Sequence, residues 1–188
     1  MKLLLSASLL LRLAGCIYVP ASSTEQPHKR LNWLELAQFN FDPYRLTNIC
    51  VDCKRDGRDD SVLDCSINFD WEDPNADTTC VCEYKWQWDG ANMAPSAQNE
   101  RDTSYLLCRP ESDELEYFQF RFETMFDLSN FTLMLSHIFK DYKDFPTPET
   151  ANLFAERNIM LSPGENNDTS LVYFLEGPIE AKIMGATI

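Results

Sequence analysis

The chain has 188 residues, 44% of them hydrophobic and 12% aromatic, enough for a single domain with a real core. Thirty acidic residues against sixteen basic ones set a formal net charge of −14. Such a surface repels nucleic acid and anionic lipid, which excludes both as partners.

Residues 1–21 have the layout of a secretory signal: Lys2, an apolar run over residues 3–11 broken by Arg12, then small residues. Two endings compete. Val19-Pro20-Ala21 ahead of Ser22 suits signal peptidase, whereas Leu13-Ala14-Gly15-Cys16 has the form of a lipobox whose cysteine is acylated. Arg12 inside the apolar run favours simple secretion. The run is too short to span a bilayer, and no other stretch is apolar for long enough. The expectation is an extracellular protein with a signal over 1–21, a flexible polar leader over 22–30 and one β domain over 31–188.

Beyond Cys16 lie Cys50, Cys53, Cys65, Cys80, Cys82 and Cys108. An even number of cysteines in an exported chain reads as a disulfide framework, and six of them allow about fifteen pairings that sequence leaves open. Cys50 and Cys53 have the spacing of half a zinc ribbon, but the second half is missing, so no metal and no cofactor is expected.

Taken in order, residues 31–41 carry Trp33, Phe39 and Phe41 at odd positions and Leu34 and Leu36 at even ones, which predicts a bulged first strand or a helical turn leading into one. Asp42-Pro43 ends it. Residues 50–60 are charged and read as an exposed loop anchored by Cys50 and Cys53. Leu63, Cys65, Ile67, Phe69 and Trp71 then alternate with polar residues, as do Cys80, Cys82, Tyr84, Trp86 and Trp88. The polar segment between them predicts an antiparallel hairpin, its second strand central in a sheet.

Residues 89–103 read as a long loop and residues 104–108 as a short strand. Phe118, Phe120 and Phe122 mark a further strand, and Phe131, Leu133, Leu135, His137 and Phe139 another, with the turn at 127–130. Residues 150–158 read as a helical turn capped by Thr150, before a short strand at 159–161. Residues 162–167 form a turn, and strands are expected over 171–175 and 179–184. Seven or eight strands with almost no helix predict an antiparallel β-sandwich or β-barrel.

Sequons occur at Asn130-Phe131-Thr132 and Asn167-Asp168-Thr169, both at turns or strand ends where a glycan is accommodated. Together with the cysteines they favour a eukaryotic secretory route.

Catalytic signatures are sparse. His28 lies in the leader, and His137 sits on the apolar face of its strand, where a hydrogen-bonded core histidine is the simpler reading. No nucleophile elbow, His-Glu-x-x-His motif or phosphate loop is present. Carboxylates for a glycosidase would be sought at Asp64, Asp70 and Glu83 on outward strand faces. Oxygen ligands for calcium would come from Asp56, Asp59 and Asp60, or from Asp70, Glu72, Asp73 and Asp77, although neither group has the order of an EF-hand. Trp71, Trp86 and Trp88 suggest a sugar-binding platform, yet they share a face with Cys65, Cys80 and Cys82, which points inward.

Trp33 on an early strand, the pair Cys50 and Cys53, a cysteine-bearing strand through Phe69 to Cys80 and Cys82, a lone Cys108, and a late strand from Phe131 to Asp141 resemble the Alternaria major allergen-like family of small secreted fungal proteins. The resemblance covers residues 31–161 and implies a compact disulfide-linked β-barrel or sandwich without known catalytic machinery. The chain departs from it in its six cysteines beyond the signal and in the tail from Leu171. The reading is a secreted, non-enzymatic, effector-like protein that binds an extracellular or host partner through surface loops. The alternatives are a carbohydrate-binding module or minor glycosidase, and a lipid-anchored envelope protein.

Overall fold

The computed structural model describes residues 38–55, 62–88, 105–110, 116–140, 150–167 and 169–187. The segments expected to be a signal with its alternative lipobox, a leader and a loop at 89–103 lie outside the described residues.

The described chain is all-β, with two antiparallel sheets that face each other as a sandwich and do not close into a barrel. Eight strands have five or more residues: β1 Tyr44–Arg55, β2 Leu63–Asp73, β3 Thr78–Trp88, β6 Tyr117–Asp127, β7 Asn130–Lys140, β8 Thr150–Met160, β10 Ser170–Leu175 and β12 Ile183–Thr187. Four shorter ones complete the set: β4 Leu106–Leu107, β5 Arg109–Pro110, β9 Ser162–Pro163 and β11 Ile179–Ala181. One sheet has the order β5-β3-β2-β1-β10-β9, with β11 also on β1, and the other has β12-β8-β7-β6-β4.

The expected hairpin is present as β2–β3, in unbroken register from Leu63 opposite Trp88 to Asp73 opposite Thr78. Its faces divide as the alternation predicts, with Cys65, Ile67, Phe69, Trp71, Cys80, Cys82 and Trp86 inward and buried. One detail differs. Strand β3 is not central, because among the described residues only the two-residue β5 lies beyond it, and the middle of the sheet belongs to β1 and β2.

Two expectations are corrected. Residues 50–55, read as loop, are the second half of β1, whereas the described part of the supposed first strand, residues 38–41, is not strand. The pattern was hidden by a bulge. Asn48 takes a left-handed φ of 54°, the register shifts between Thr47 and Cys50, and the buried positions pass from Tyr44 and Leu46 to Ile49, Val51 and Cys53. Residues 150–158, read as a helical turn, are strand β8. Ala151, Leu153 and Ala155 point inward, and pairing with β7 along the whole strand outweighs the helical preference of alanine and glutamate.

The core is an aromatic layer between the sheets. Trp71 meets Tyr44 at 5.0 Å and Phe118 at 4.9 Å edge-to-face, and Phe69 meets Phe120 at 5.1 Å. Each such pair adds about 0.5–1.5 kcal/mol beyond the area it buries. Tyr44 also joins the sheets directly, its hydroxyl donating to the Leu153 carbonyl at 2.9 Å.

Among the described residues the chain changes sheet through a single residue at three places, one of them the buried Leu161 between β8 and β9. The other two lie at Cys108 and Lys182. Cys108 separates β4, which pairs with β6, from β5, which pairs with β3. Lys182 separates β11, which pairs with β1, from β12, which pairs with β8. The Cys108 crossover is buried and the Lys182 crossover exposed.

Candidate functional site

The Lys182 crossover opens a groove of about 710 Å³ between the sheets. Phe41, Pro43, Pro178 and Ile179 supply apolar walls, and Arg45, Glu156, Arg157, Glu180 and Lys182 supply charge. A second hollow of about 360 Å³ continues from it, sharing Arg157 and Ile179 and reaching the exposed Met160.

Local structure explains this placement. Arg157 stands opposite the buried Leu133 and so occupies an inward register of β8, but the sandwich gapes here and leaves it exposed. The facing wall is set by Gly177, whose φ of 82° is the left-handed region that glycine tolerates. A Cβ there would lie 2.7 Å from the Leu46 carbonyl oxygen. Arg45 is held by Glu72 at 3.1 Å, whereas Arg157 and Lys182 form no ion pair among the described residues.

Two available cations beside apolar surface, in an acidic chain, suit a ligand that presents a carboxylate next to an apolar group. The sequence reading missed this site. A cation in an inward position of a strand was the available signal, but it becomes visible only once residues 150–160 are recognised as extended.

The cysteines divide unequally. Cys53 bridges to Cys65 across β1 and β2, and Cys82 bridges to Cys108. Cys50 and Cys80 remain free thiols, so the expected six-cysteine framework is narrowed to two bridges. Cys50 is half-buried, and burial first, then Asp52, pushes its thiol up against the opposing pull of Lys54. Cys80 is buried, and its thiol is pushed well up by burial and secondarily by Asp70.

His137 is the bonded core histidine that its strand position suggested. Its Nδ1 lies 2.7 Å from Asp73 Oδ2, both side chains are inaccessible, and the ring stacks on Phe118 at 3.7 Å. Asp73 Oδ1 accepts from the Asn75 backbone and side-chain N–H groups, each at 2.8 Å. The carboxylate and imidazole are arranged like the orienting half of a hydrolytic triad, but Nε2 is buried without a hydrogen-bond partner among the described residues. No substrate reaches it.

The remaining candidates disperse. Asp64 accepts from Gln87, Asp70 from Asn48, and Glu83 pairs with Lys85, so the outward carboxylates are individually engaged on a sheet face. Of the proposed calcium ligands, Glu72 and Asp73 also go to separate partners, and Asp56, Asp59 and Asp60 lie outside the described residues. Trp71 and Trp86 are buried and Trp88 is half-buried, which removes the flat platform.

The sequons differ. Asn167 is exposed and its Oδ1 accepts from Thr169 N–H and Oγ1, both at 2.9 Å. Asn130 is half-buried and bonded to Asn158, and its Thr132 is buried. Compared with known proteins, the chain matches no family and no curated sequence.

Proposed function

We propose that this protein is an extracellular, non-enzymatic recognition domain that binds a partner's acidic, partly apolar polypeptide segment in the groove at the Lys182 crossover. The observation that carries this reading is the pair Arg157 and Lys182, free of ion pairs among the described residues and set beside Phe41, Pro43 and Ile179. An exposed cation without an ion-pair partner among the described residues favours a carboxylate ligand, and the apolar wall supplies burial that charge alone lacks. The disulfide bridges suit an oxidising compartment, in line with export through the signal-like residues 1–21. In this reading a groove built on strands takes the recognition role expected of surface loops from the sequence. The inaccessibility of His137 supports binding over hydrolysis.

The reading is tested by selecting from a displayed peptide library on the immobilised full chain and repeating the selection with Arg157→Glu and Lys182→Glu combined. Enriched peptides should carry Asp or Glu beside apolar residues, and charge reversal should weaken them by roughly tenfold or more at low salt. Enrichment indifferent to charge reversal overturns the groove assignment. Turnover of a glycan substrate would replace binding with catalysis.

A further inference from the structure

The sulfurs of Cys80, Cys82 and Cys108 all lie within 4.8 Å of one another, and all three residues are buried. Cys82 and Cys108 are bridged, and the unpaired Cys80 sulfur stands 3.8 Å from Cys82 Sγ. A thiol held against a disulfide sulfur is the reactant pair of thiol–disulfide exchange, with proximity already supplied.

The ladder decides which sulfur is attacked. Cys80 pairs with Pro110 and Val81 with Arg109, so Cys82 faces Cys108 and Cys80 is diagonal to it. A diagonal pair is about 7–8 Å apart at Cα, beyond the roughly 7 Å that a disulfide spans without backbone movement. Cys80 and Cys82, two residues apart on one strand, are about 6.6 Å apart at Cα, at the upper edge of the bridgeable range. The nearest sulfur is therefore also the one that yields a formable bridge.

We propose that Cys80 is the internal nucleophile of a disulfide switch that attacks Cys82, forms a Cys80–Cys82 bridge within β3 and expels Cys108 as a free thiol. The Cys80–Cys82 sulfur bond forms as the Cys82–Cys108 bond breaks. The electron pair of the broken bond leaves on Cys108, and the proton lost by Cys80 ends there. No oxidant or reductant is consumed. The new bridge bends an extended strand, so the Cys82–Cys108 form is the resting state. Burial, with the Asp70 charge second, pushes the Cys80 thiol up and keeps the exchange slow.

The consequence is mechanical. Strand β4 holds β6 through two paired residues, β5 holds β3 through two, and the Cys108 N–H donates to the Phe118 carbonyl at 2.9 Å. Freeing Cys108 loosens the strap that covers one edge of each sheet. It uncovers backbone N–H and C=O groups that an extended segment of another chain can pair with.

The test uses the full chain carrying Cys16→Ser and Cys50→Ser, which leaves Cys80 as the sole cysteine outside a bridge. It is incubated natively with a maleimide and no reductant, then mapped as non-reduced peptides. The expected result is maleimide on Cys108 with a Cys80–Cys82 peptide, accumulating at a rate that becomes independent of maleimide concentration. Adding Cys80→Ser should slow Cys108 labelling by about tenfold or more. Label on Cys80 alone with Cys82–Cys108 intact, label on Cys82, no label at all, or equal labelling of Cys108 without Cys80 would each overturn the switch. The peptide map of the parent chain decides the matter even where the serine variant does not fold.

Discussion

The single-residue crossovers at Cys108 and Lys182 use one topological device with opposite chemistry. At Cys108 the passage from sheet to sheet is buried and tied covalently to β3, with a third sulfur beside the tie. At Lys182 the passage is exposed, and the strands that β11 and β12 pair with, β1 and β8, are linked through the core by the Tyr44–Leu153 hydrogen bond. The tied crossover covers its sheet edges, whereas the bonded one leaves a groove. A covalent link lets a short strap of paired residues stay in place, and a noncovalent one leaves room for charge and solvent between the sheets.

The largest effect is expected at the tied crossover. Replacing Cys82 and Cys108 together by serine removes a link between residues 26 apart in sequence and should cost about 3 kcal/mol in urea unfolding. A loss below about 1 kcal/mol would mean that packing alone holds the strap. Gly177→Ala at the groove wall comes next. It forces a Cβ to within 2.7 Å of the Leu46 oxygen at a φ of 82° and should cost about 1–3 kcal/mol, read as a lower urea midpoint with an unchanged slope.

Tyr44→Phe removes the hydrogen bond that stands in for a disulfide at the open crossover, and should cost about 1 kcal/mol at neutral pH. It should also change the response to alkali. Burial holds the Tyr44 hydroxyl well above its ordinary range, the Asp73 charge adds to this, and the His137 backbone opposes it. The folded state thus keeps a proton that the unfolded chain releases above about pH 10, so this contribution is complete below that pH and is lost as pH rises further. Urea midpoints between about pH 9 and 11 should fall more steeply for the native sequence than for Tyr44→Phe. Parallel curves would remove Tyr44 from the comparison. The smallest effect belongs to Lys182→Ala, within about 0.5 kcal/mol of the native stability, because its side chain is exposed and forms no ion pair among the described residues.

Legibility of the fold followed the regularity of the strands. β2 and β3 were readable because their ladder runs without a bulge, so side-chain parity never changes. β1 was not, because Asn48 inverts parity midway, and β8 was not, because alanine is small enough to pack inside a strand while favouring a helix. His137 was legible as a bonded core residue from its apolar strand face, but its partner Asp73, 64 residues away, was not. The groove was illegible for a similar reason: Arg157, Lys182 and Phe41 are distant in sequence and meet only at the crossover.

The amino-acid sequence by itself determined an all-β chain, the β2–β3 hairpin, the inward tryptophans and the burial of the cysteine-bearing face, since a two-residue period is local information that burial enforces directly. Tertiary structure alone decided which cysteines pair, which thiol is left against a bridge, and where the sandwich stays open. Each of these depends on which strands become neighbours and in what register, and that choice is set by the sum of long-range packing rather than by any short stretch of sequence.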